Sequence, residues 1–300
     1  MINGIINIYK EAGFTSHDVV AKLRGIVGQR KIGHTGTLDP DAVGVLPVCF
    51  GNATKLCDLM TDKSKEYEVC MRLGVTTDTQ DMSGTVLSEE EVTADAAAIE
   101  AAIMGFVGGY EQIPPMYSAL KVNGKRLYEL ARQGKEVERQ SRHVDIPNIR
   151  ILEIVRPYAR FVVECSKGTY IRSLCADIGD QLGCGAAMES LKRTRVGNFK
   201  IEDALTLSEV EAVVQQGDCE KIIIAPDSIF MDYEGATVKP EAQNALINGN
   251  KLSLRQLDFD NKTFFQDGDM LRVYDEKREF KAIYTFVKKE GAFKPYKMFL

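Results

Sequence analysis

The sequence predicts an α+β protein, a mixed layer of strands and helices followed by a smaller β-rich module. Three observations carry that expectation. Residues 65–73 alternate strictly, with Tyr67, Val69, Met71 and Leu73 on one face and Glu66, Glu68 and Arg72 on the other, the period of a half-buried strand. Residues 171–182 repeat Ile171, Leu174, Cys175, Ile178 and Leu182 at helical spacing, with Gly183 behind them as a stop. From about Tyr233 the texture changes to short strand-like runs separated by turns.

The remaining elements follow in chain order. Residues 4–9 are a short β-rich run, and Thr15 and Ser16 cap a helix over 17–27 with Val19, Val20, Leu23 and Val27 at helical spacing. A glycine-rich loop comes next, an apolar strand resumes over 43–50, and residues 53–60 read as helical. Thr93 caps an alanine-rich helix over 94–106. Gln112-Ile113-Pro114-Pro115 breaks regular structure, and the charged residues 118–143 read as an excursion off the main sheet. Residues 149–155 and 160–165 read as two strands of a meander, 196–201 as a returning strand and 207–214 as a short helix. The last module takes its strands from 270–274, 281–286 and 298–300. Domains of 1–232 and 233–300 result, the first carrying its excursion at about 112–145.

Composition bounds the function. Within 300 residues, 44% hydrophobic and 27% charged content is that of an ordinary globular protein with a sizeable core. No apolar run approaches the ~20 residues of a membrane span, so no membrane partner is expected, and the first ten residues do not read as a signal peptide. Seven scattered cysteines without a CxxC pair read as free thiols of a reducing cytoplasm, and three distant histidines make a metal centre unexpected. A net charge of −5 argues mildly against nucleic-acid binding, yet local basic clusters stand at 121–126, 139–143 and 192–195.

The loop GHTGTLDPDAVGVLP at 33–47 holds the candidate chemistry. Pro40 keeps Asp39 out of the α region, and Gly33 and Gly36 allow close backbone approach, so a carboxylate is displayed rigidly at a loop tip. Neither phosphate-binding glycine motif is present. Asp39-Pro40-Asp41-Ala42-Val43 fits the DxDx[TV] pattern of metal-dependent phosphatases, although the apolar strand expected before it is missing. A structural Asp-Pro turn and a metal-free carboxylate nucleophile are the other readings.

Seven segments in order settle the resemblance. Lys10-Glu11-Ala12-Gly13-Phe14-Thr15-Ser16 is similar to KPxGxTS, and residues 31–47 match KxGHTGTLDPxAxGVLP. Gly51 to Lys55 matches GxATK, residues 65–84 match KxYxxxxxLGxxTDTxDxxG, and 112–121 match QxPPxYSAxK. Residues 168–179 match GTYIRxLxxDxG and 191–199 match LxRTxxGxF. The chain thereby resembles the TruB family of bacterial tRNA pseudouridine synthases over essentially all of its N-terminal domain. Glu11 is a departure, standing where the family has proline.

The resemblance implies a pseudouridine-synthase fold, with a central mixed, largely antiparallel sheet flanked by helices and loops, and a small C-terminal PUA-like RNA-binding domain. It implies isomerisation of uridine 55 in the T arm of tRNA; that reaction needs no redox change or group donor, so no cofactor is expected, and the protein is expected to be a monomer. Asp39 corresponds to the family's essential aspartate, Arg172 to the arginine that pairs with it and keeps it ionised, and Tyr67 to the residue against the target base, a candidate for proton transfer with plain stacking or packing as the alternative. Tyr170 and Leu191 match positions lining the uracil pocket, and His34 a histidine that holds the loop with the base swung out. Asp81 is expected to organise the cleft through hydrogen bonds, and Asp41 to be surface. Lys10, Lys121, Lys125, Arg126, Arg142 and Arg193 are the expected grips on RNA phosphates. A non-catalytic RNA-binding protein on the same scaffold is the alternative.

Overall fold

The computed structural model describes residues 2–122, 124–261 and 264–300 of the chain. At its centre, strands Gly4–Lys10, Val43–Phe50, Ala186–Val196, Lys65–Leu73, Tyr158–Cys165 and Asn148–Val155 lie side by side in that order. Neighbours run antiparallel except Ala186–Val196 against Val43–Phe50, where Lys192 pairs with Val43 and Arg193 with Gly44. Short strands Ile32–His34 and Phe199–Lys200 extend the sheet, which is mixed and largely antiparallel as the family resemblance implies.

The alternation of Lys65–Leu73 survives in full. Tyr67, Val69, Met71 and Leu73 enter a core shared with Ile171, Leu174, Cys175 and Ile178 of helix Ile171–Leu182 and with Ile99 and Ile103 of helix Ala96–Met104. The opposite face is charged: Glu68 accepts from Arg160 at 2.7 Å and from Lys192 at 2.9 Å, and Arg195 pairs with Glu164 at 2.7 Å. Each pair is partly solvated and worth little alone. Together they mark which face of the sheet stays out, and hence its register.

Several elements differ from expectation. The strand placed at 196–201 is Ala186–Val196, a turn at Gly197, and a return through Phe199–Lys200. Its ladder against Lys65–Leu73 slips between Met188 and Ser190 and again between Arg193 and Arg195, so the two-residue period is lost. Asp95 rather than Thr93 caps the alanine-rich helix, its Oδ1 accepting from the Ala98 N–H at 2.8 Å. Residues 53–60 divide into a 3₁₀ segment, Gly51–Leu56, and a short helix, Cys57–Thr61. Thr15 does cap helix Ser16–Val27, in a reciprocal box with Asp18.

Strands Gly108–Gln112 and Arg142–Ile146 pair and close the base of the excursion. Asp145 O accepts from the Ser166 N–H and the Asp145 N–H donates to Ser166 Oγ, fastening that base to the main sheet. Further out, Lys121–Val122 and Lys125–Arg126 form a hairpin leading into helix Leu127–Ala131, with Asn123 outside the described residues.

A second sheet runs Leu252–Ser253, Ala292–Met298, Phe280–Val287, Met270–Tyr274, Glu234–Val238 and Leu257–Phe259. Its last strand in chain order ends at Met298, ahead of the run expected at 298–300. Phe265, Phe286 and Phe293 fill its own core, while Phe230, Ile283 and Phe299 meet Ile5, Val45 and Cys49 in a core shared with the first sheet. Among the described residues no helix is long and apolar enough to cross a membrane.

The parallel pairing beside the loop depends on Gly44, which has φ +106° and whose absent Cβ would lie 2.2 Å from the Arg193 carbonyl oxygen. Gly108 has φ +112° with nothing within 4 Å of such a Cβ. Gly44→Ala is therefore expected to destabilise the fold by roughly 2 kcal/mol or more, strain plus clash. Gly108→Ala should cost only the strain of about 1 kcal/mol. Thermal unfolding of the two variants makes the comparison.

Candidate active site

Residues 33–42 offer few apolar side chains, so the loop is held through its backbone. Lys10 Nζ donates to the carbonyl oxygens of Pro40 at 2.8 Å, Ala42 at 2.6 Å and Glu11 at 3.0 Å, which uses all three of its protons. Burial pulls the Lys10 amine down to about 8, against the opposing pull of Asp41 and Asp39. Arg193 Nε donates to Val45 O at 2.7 Å and Nη1 to Thr37 O at 3.5 Å. Both residues were expected to grip RNA phosphates. At 0% and 2% exposure they instead lie inside the protein, out of reach of any backbone phosphate. Ser16 Oγ accepts from the Leu38 N–H at 2.9 Å and Thr35 N–H donates to Pro47 O at 3.2 Å, completing the frame.

Asp39 emerges at the tip of this frame and meets Arg172. The guanidinium engages it as a fork, Nε to Oδ2 at 3.1 Å and Nη2 to Oδ1 at 3.3 Å. The same guanidinium donates to Tyr117 O at 2.8 Å and Thr79 O at 3.1 Å, and lies 3.5 Å from Asp81 Oδ2. Asp81 turns its Oδ1 to Thr79 Oγ1 at 2.7 Å and Ser83 Oγ at 2.6 Å, the organising role expected of it. Arg172 is aimed by its place in the first turn of helix Ile171–Leu182, where Tyr170 is the N-cap. Gln112, fully buried, brackets that cap: its Oε1 accepts from the Tyr170 N–H at 2.8 Å and its Nε2 donates to Tyr170 O at 3.0 Å. Sequence reasoning assigned Gln112 no part, although its place at the head of the QxPPxYSA segment was a signal.

The electrostatics differ in one respect from expectation. Burial raises the Asp39 carboxyl above its ordinary 3.8; Arg172 and Lys10 oppose this, and Asp81 and Asp41 add to it. The ion pair exists, but it does not fully offset desolvation of a side chain only 38% exposed. Tyr67 is buried, and burial pushes its hydroxyl above 10 against the opposing influence of Arg193, so at neutral pH it is a phenol. Burial and His17 lower His34 below 6.5, leaving a neutral imidazole that meets the His17 ring edge-on at 5.2 Å.

Leu191 lies opposite Val69 in the ladder and packs in one core cluster with Tyr67 and Leu38; Tyr170 is half-buried. Lys121, Lys125 and Arg126 are exposed on the hairpin and, among the described residues, none of them is ion-paired. Arg126 Nη1 donates to Tyr128 OH at 2.8 Å, and the guanidinium carbons of Arg126 and Arg132 stand 5.8 and 5.4 Å from the Tyr128 ring centre. Arg142 is half-buried, with Nη1 3.8 Å from where a Cβ on Gly168 would stand. Asp41 is exposed. The described residues contain no group of three or more His, Cys, Asp or Glu placed to hold a metal.

Comparison with known proteins gives concordant results. A family model described as TruB family pseudouridylate synthase (N terminal domain) matches residues 24–171, and one described as tRNA pseudouridylate synthase B C-terminal domain matches 172–234. The chain is 51% identical over 308 aligned residues to tRNA pseudouridine synthase B of Lachnoclostridium phytofermentans, covering 100% of both chains. It is 45% identical over 299 residues to the protein of that name from Clostridium kluyveri, again at 100% of both. Among solved structures it is similar to a chain of an H/ACA RNP bound to a substrate RNA containing 2'-deoxyuridine, at TM-score 0.74 and 27% identity, over 99% of this chain and 85% of that one. A chain of a Cbf5-Nop10-Gar1 complex is similar at TM-score 0.74 and 29% identity, with the same coverage.

The raised carboxyl has a consequence for stability. A carboxyl whose pKa is higher folded than unfolded binds more protons in the folded state, so stability is lost as pH rises from 3.8 through the folded value. At pH 7 Asp39→Asn is accordingly expected to melt at or above the wild-type temperature. The advantage should shrink as pH is lowered toward 4, and melting curves across that range measure it.

Proposed function

This chain belongs to the TruB family of pseudouridylate synthases, and from that membership we propose that it converts uridine 55, in the T loop of tRNA, to pseudouridine. The observation that carries the active-site assignment is the Asp39 carboxylate, rigidly displayed and forked by Arg172, over a floor that includes Tyr67. The reaction moves the ribose C1′ from N1 to C5 of the same base. It conserves every atom and electron and draws on no group donor. Asp39 is the anionic group at C1′, Arg172 holds it in one orientation, and Tyr67, Tyr170 and Leu191 receive the base. His34, neutral beside the loop, helps keep the base out of the helical stack, where its reacting atoms would be hidden.

The RNA is gripped along the excursion. Exposed and, among the described residues, not ion-paired, Lys121, Lys125 and Arg126 suit contact with the T-arm phosphates, and Arg142 opens the strand that closes the base of the excursion, beside Gly168. Residues 1–232 form the catalytic domain and 233–300 a PUA-like domain that adds RNA contacts. Seven free cysteines fit a reducing cytoplasm, where the protein works as a monomer.

Two experiments test this. With tRNA or an isolated T stem-loop tritiated at uracil C5, wild type should release tritium at comparable rates from both, and in excess EDTA. Asp39→Asn should bind both with wild-type affinity and release none. Release at the wild-type rate would remove Asp39 from the chemistry, and a strict need for the anticodon arm would contradict T-arm recognition.

For the grip, replacing Lys121, Lys125 and Arg126 together by alanine should weaken binding without slowing bound-state turnover. The slope of log affinity against log salt should fall by about 3, roughly one per lost phosphate contact. Filter binding at several salt concentrations reads that slope.

A further inference from the structure

We propose that Arg193 is a positioning residue for the chemical step, a buried cation that acts through Tyr67 to stabilise the uracil anion formed when the glycosidic bond breaks. The inference rests on the pseudouridine-synthase reading and assigns a part of that reaction to a residue with no place in it so far. Arg193 is 2% exposed, and its Nη2 is buried without a hydrogen-bond partner. Among the described residues its guanidinium donates to the carbonyl oxygens of Val45 and Thr37 and lies beside the Tyr67 hydroxyl, with no carboxylate in ion-pair range. A buried guanidinium lacking a counter-charge is costly to keep. Asp39 does not require it, being already forked by Arg172.

Its position indicates what it serves. Arg193 pairs in register with Tyr67, and its Nη1 runs 3.7 Å from where a Cβ on Gly36 would stand, so the guanidinium lies beneath the loop that displays Asp39. Lys65, also buried and, among the described residues, hydrogen-bonded through its Nζ to the carbonyl oxygens of Thr61 and Lys63, adds a second positive charge to the same floor. Burial and the nearby Arg193 pull the Lys65 amine down to about 8, which reflects their closeness.

The charge that appears during the reaction is negative. The C1′–N1 bond breaks with its electron pair staying on the base, and C1′ is left electron-poor beside the Asp39 carboxylate. The C5 carbon of the same anion then forms the C1′–C5 bond. The C5 hydrogen leaves as a proton, and N1 gains one. A fixed cation behind the base stabilises that anion more than the neutral uridine, which is what lowers a barrier.

The test varies the leaving base. Fluorine at C5 makes the departing anion intrinsically more stable, so a 5-fluorouridine hairpin depends less on the cation than a uridine hairpin does. Single-turnover cleavage is measured for T stem-loops carrying either nucleotide at the target. Arg193→Gln, which keeps a donor for Val45 O, should slow the uridine hairpin roughly 10²-fold and the fluorinated one at most about tenfold, with hairpin Kd unchanged. Arg193→Lys, which keeps the charge, should retain the wild-type ratio between the two hairpins. Equal slowing of both hairpins by Arg193→Gln, or a loss confined to Kd, overturns the proposal. If Arg193→Gln does not fold, a changed ratio in Arg193→Lys overturns it and an unchanged one upholds it. Failure of the wild type on the uridine hairpin would instead sink the parent activity, a separate result.

Discussion

A loop that must bring its backbone close to a ligand cannot carry bulky side chains, and so cannot bury a core of its own. That constraint governs the site. Residues 33–42 are pinned by hydrogen bonds from outside, above all from Lys10 and Arg193, two cations spent on carbonyl oxygens in the interior. A hydrogen bond from a charged donor is stronger than a neutral one, and it strengthens further away from water. A lysine can satisfy three carbonyls that converge from different directions, which no apolar contact does. The rigidity of Asp39 thus originates in the first strand and the central strand, one on each side of Val43–Phe50.

Arg172 performs the complementary task across the cleft. It reaches Asp39, Tyr117, Thr79 and Asp81, which lie on three segments far apart in sequence, so one guanidinium closes the helix, the 77–84 loop and the excursion onto the Asp39 loop. Its aim is fixed at the backbone, where Gln112 holds both polar groups of Tyr170. Even so, Asp39 stays partly desolvated, with a pKa raised despite the fork.

Much of this was legible in the sequence. The strict alternation of 65–73 placed Tyr67 inward, the helical stripe of 171–182 set Arg172 at a helix start, and proline after Asp39 marked a displayed acid. The roles of Lys10 and Arg193 were not legible. A basic residue looks the same in sequence whether its charge faces water or a ring of carbonyls, and only the packing decides. Gln112 escaped for a related reason, since an amide shows its function only through the two partners it bridges.

The central strand was unreadable for a cause that also explains how it works. In Ala186–Val196, Leu191 faces Val69 and Arg193 faces Tyr67, both on the core side. Unbroken alternation would put Arg195 opposite Lys65 on that same side, burying a third cation next to two. The slip after Arg193 sets Arg195 against Glu66 instead, on the outer face, where it pairs with Glu164 at 2.7 Å. One inserted residue therefore parts two arginines only two positions apart, sending one under the Asp39 loop and the other to the solvated face. The irregularity that hid the strand from a period-two reading is the means by which the site receives one buried cation from this stretch and not two.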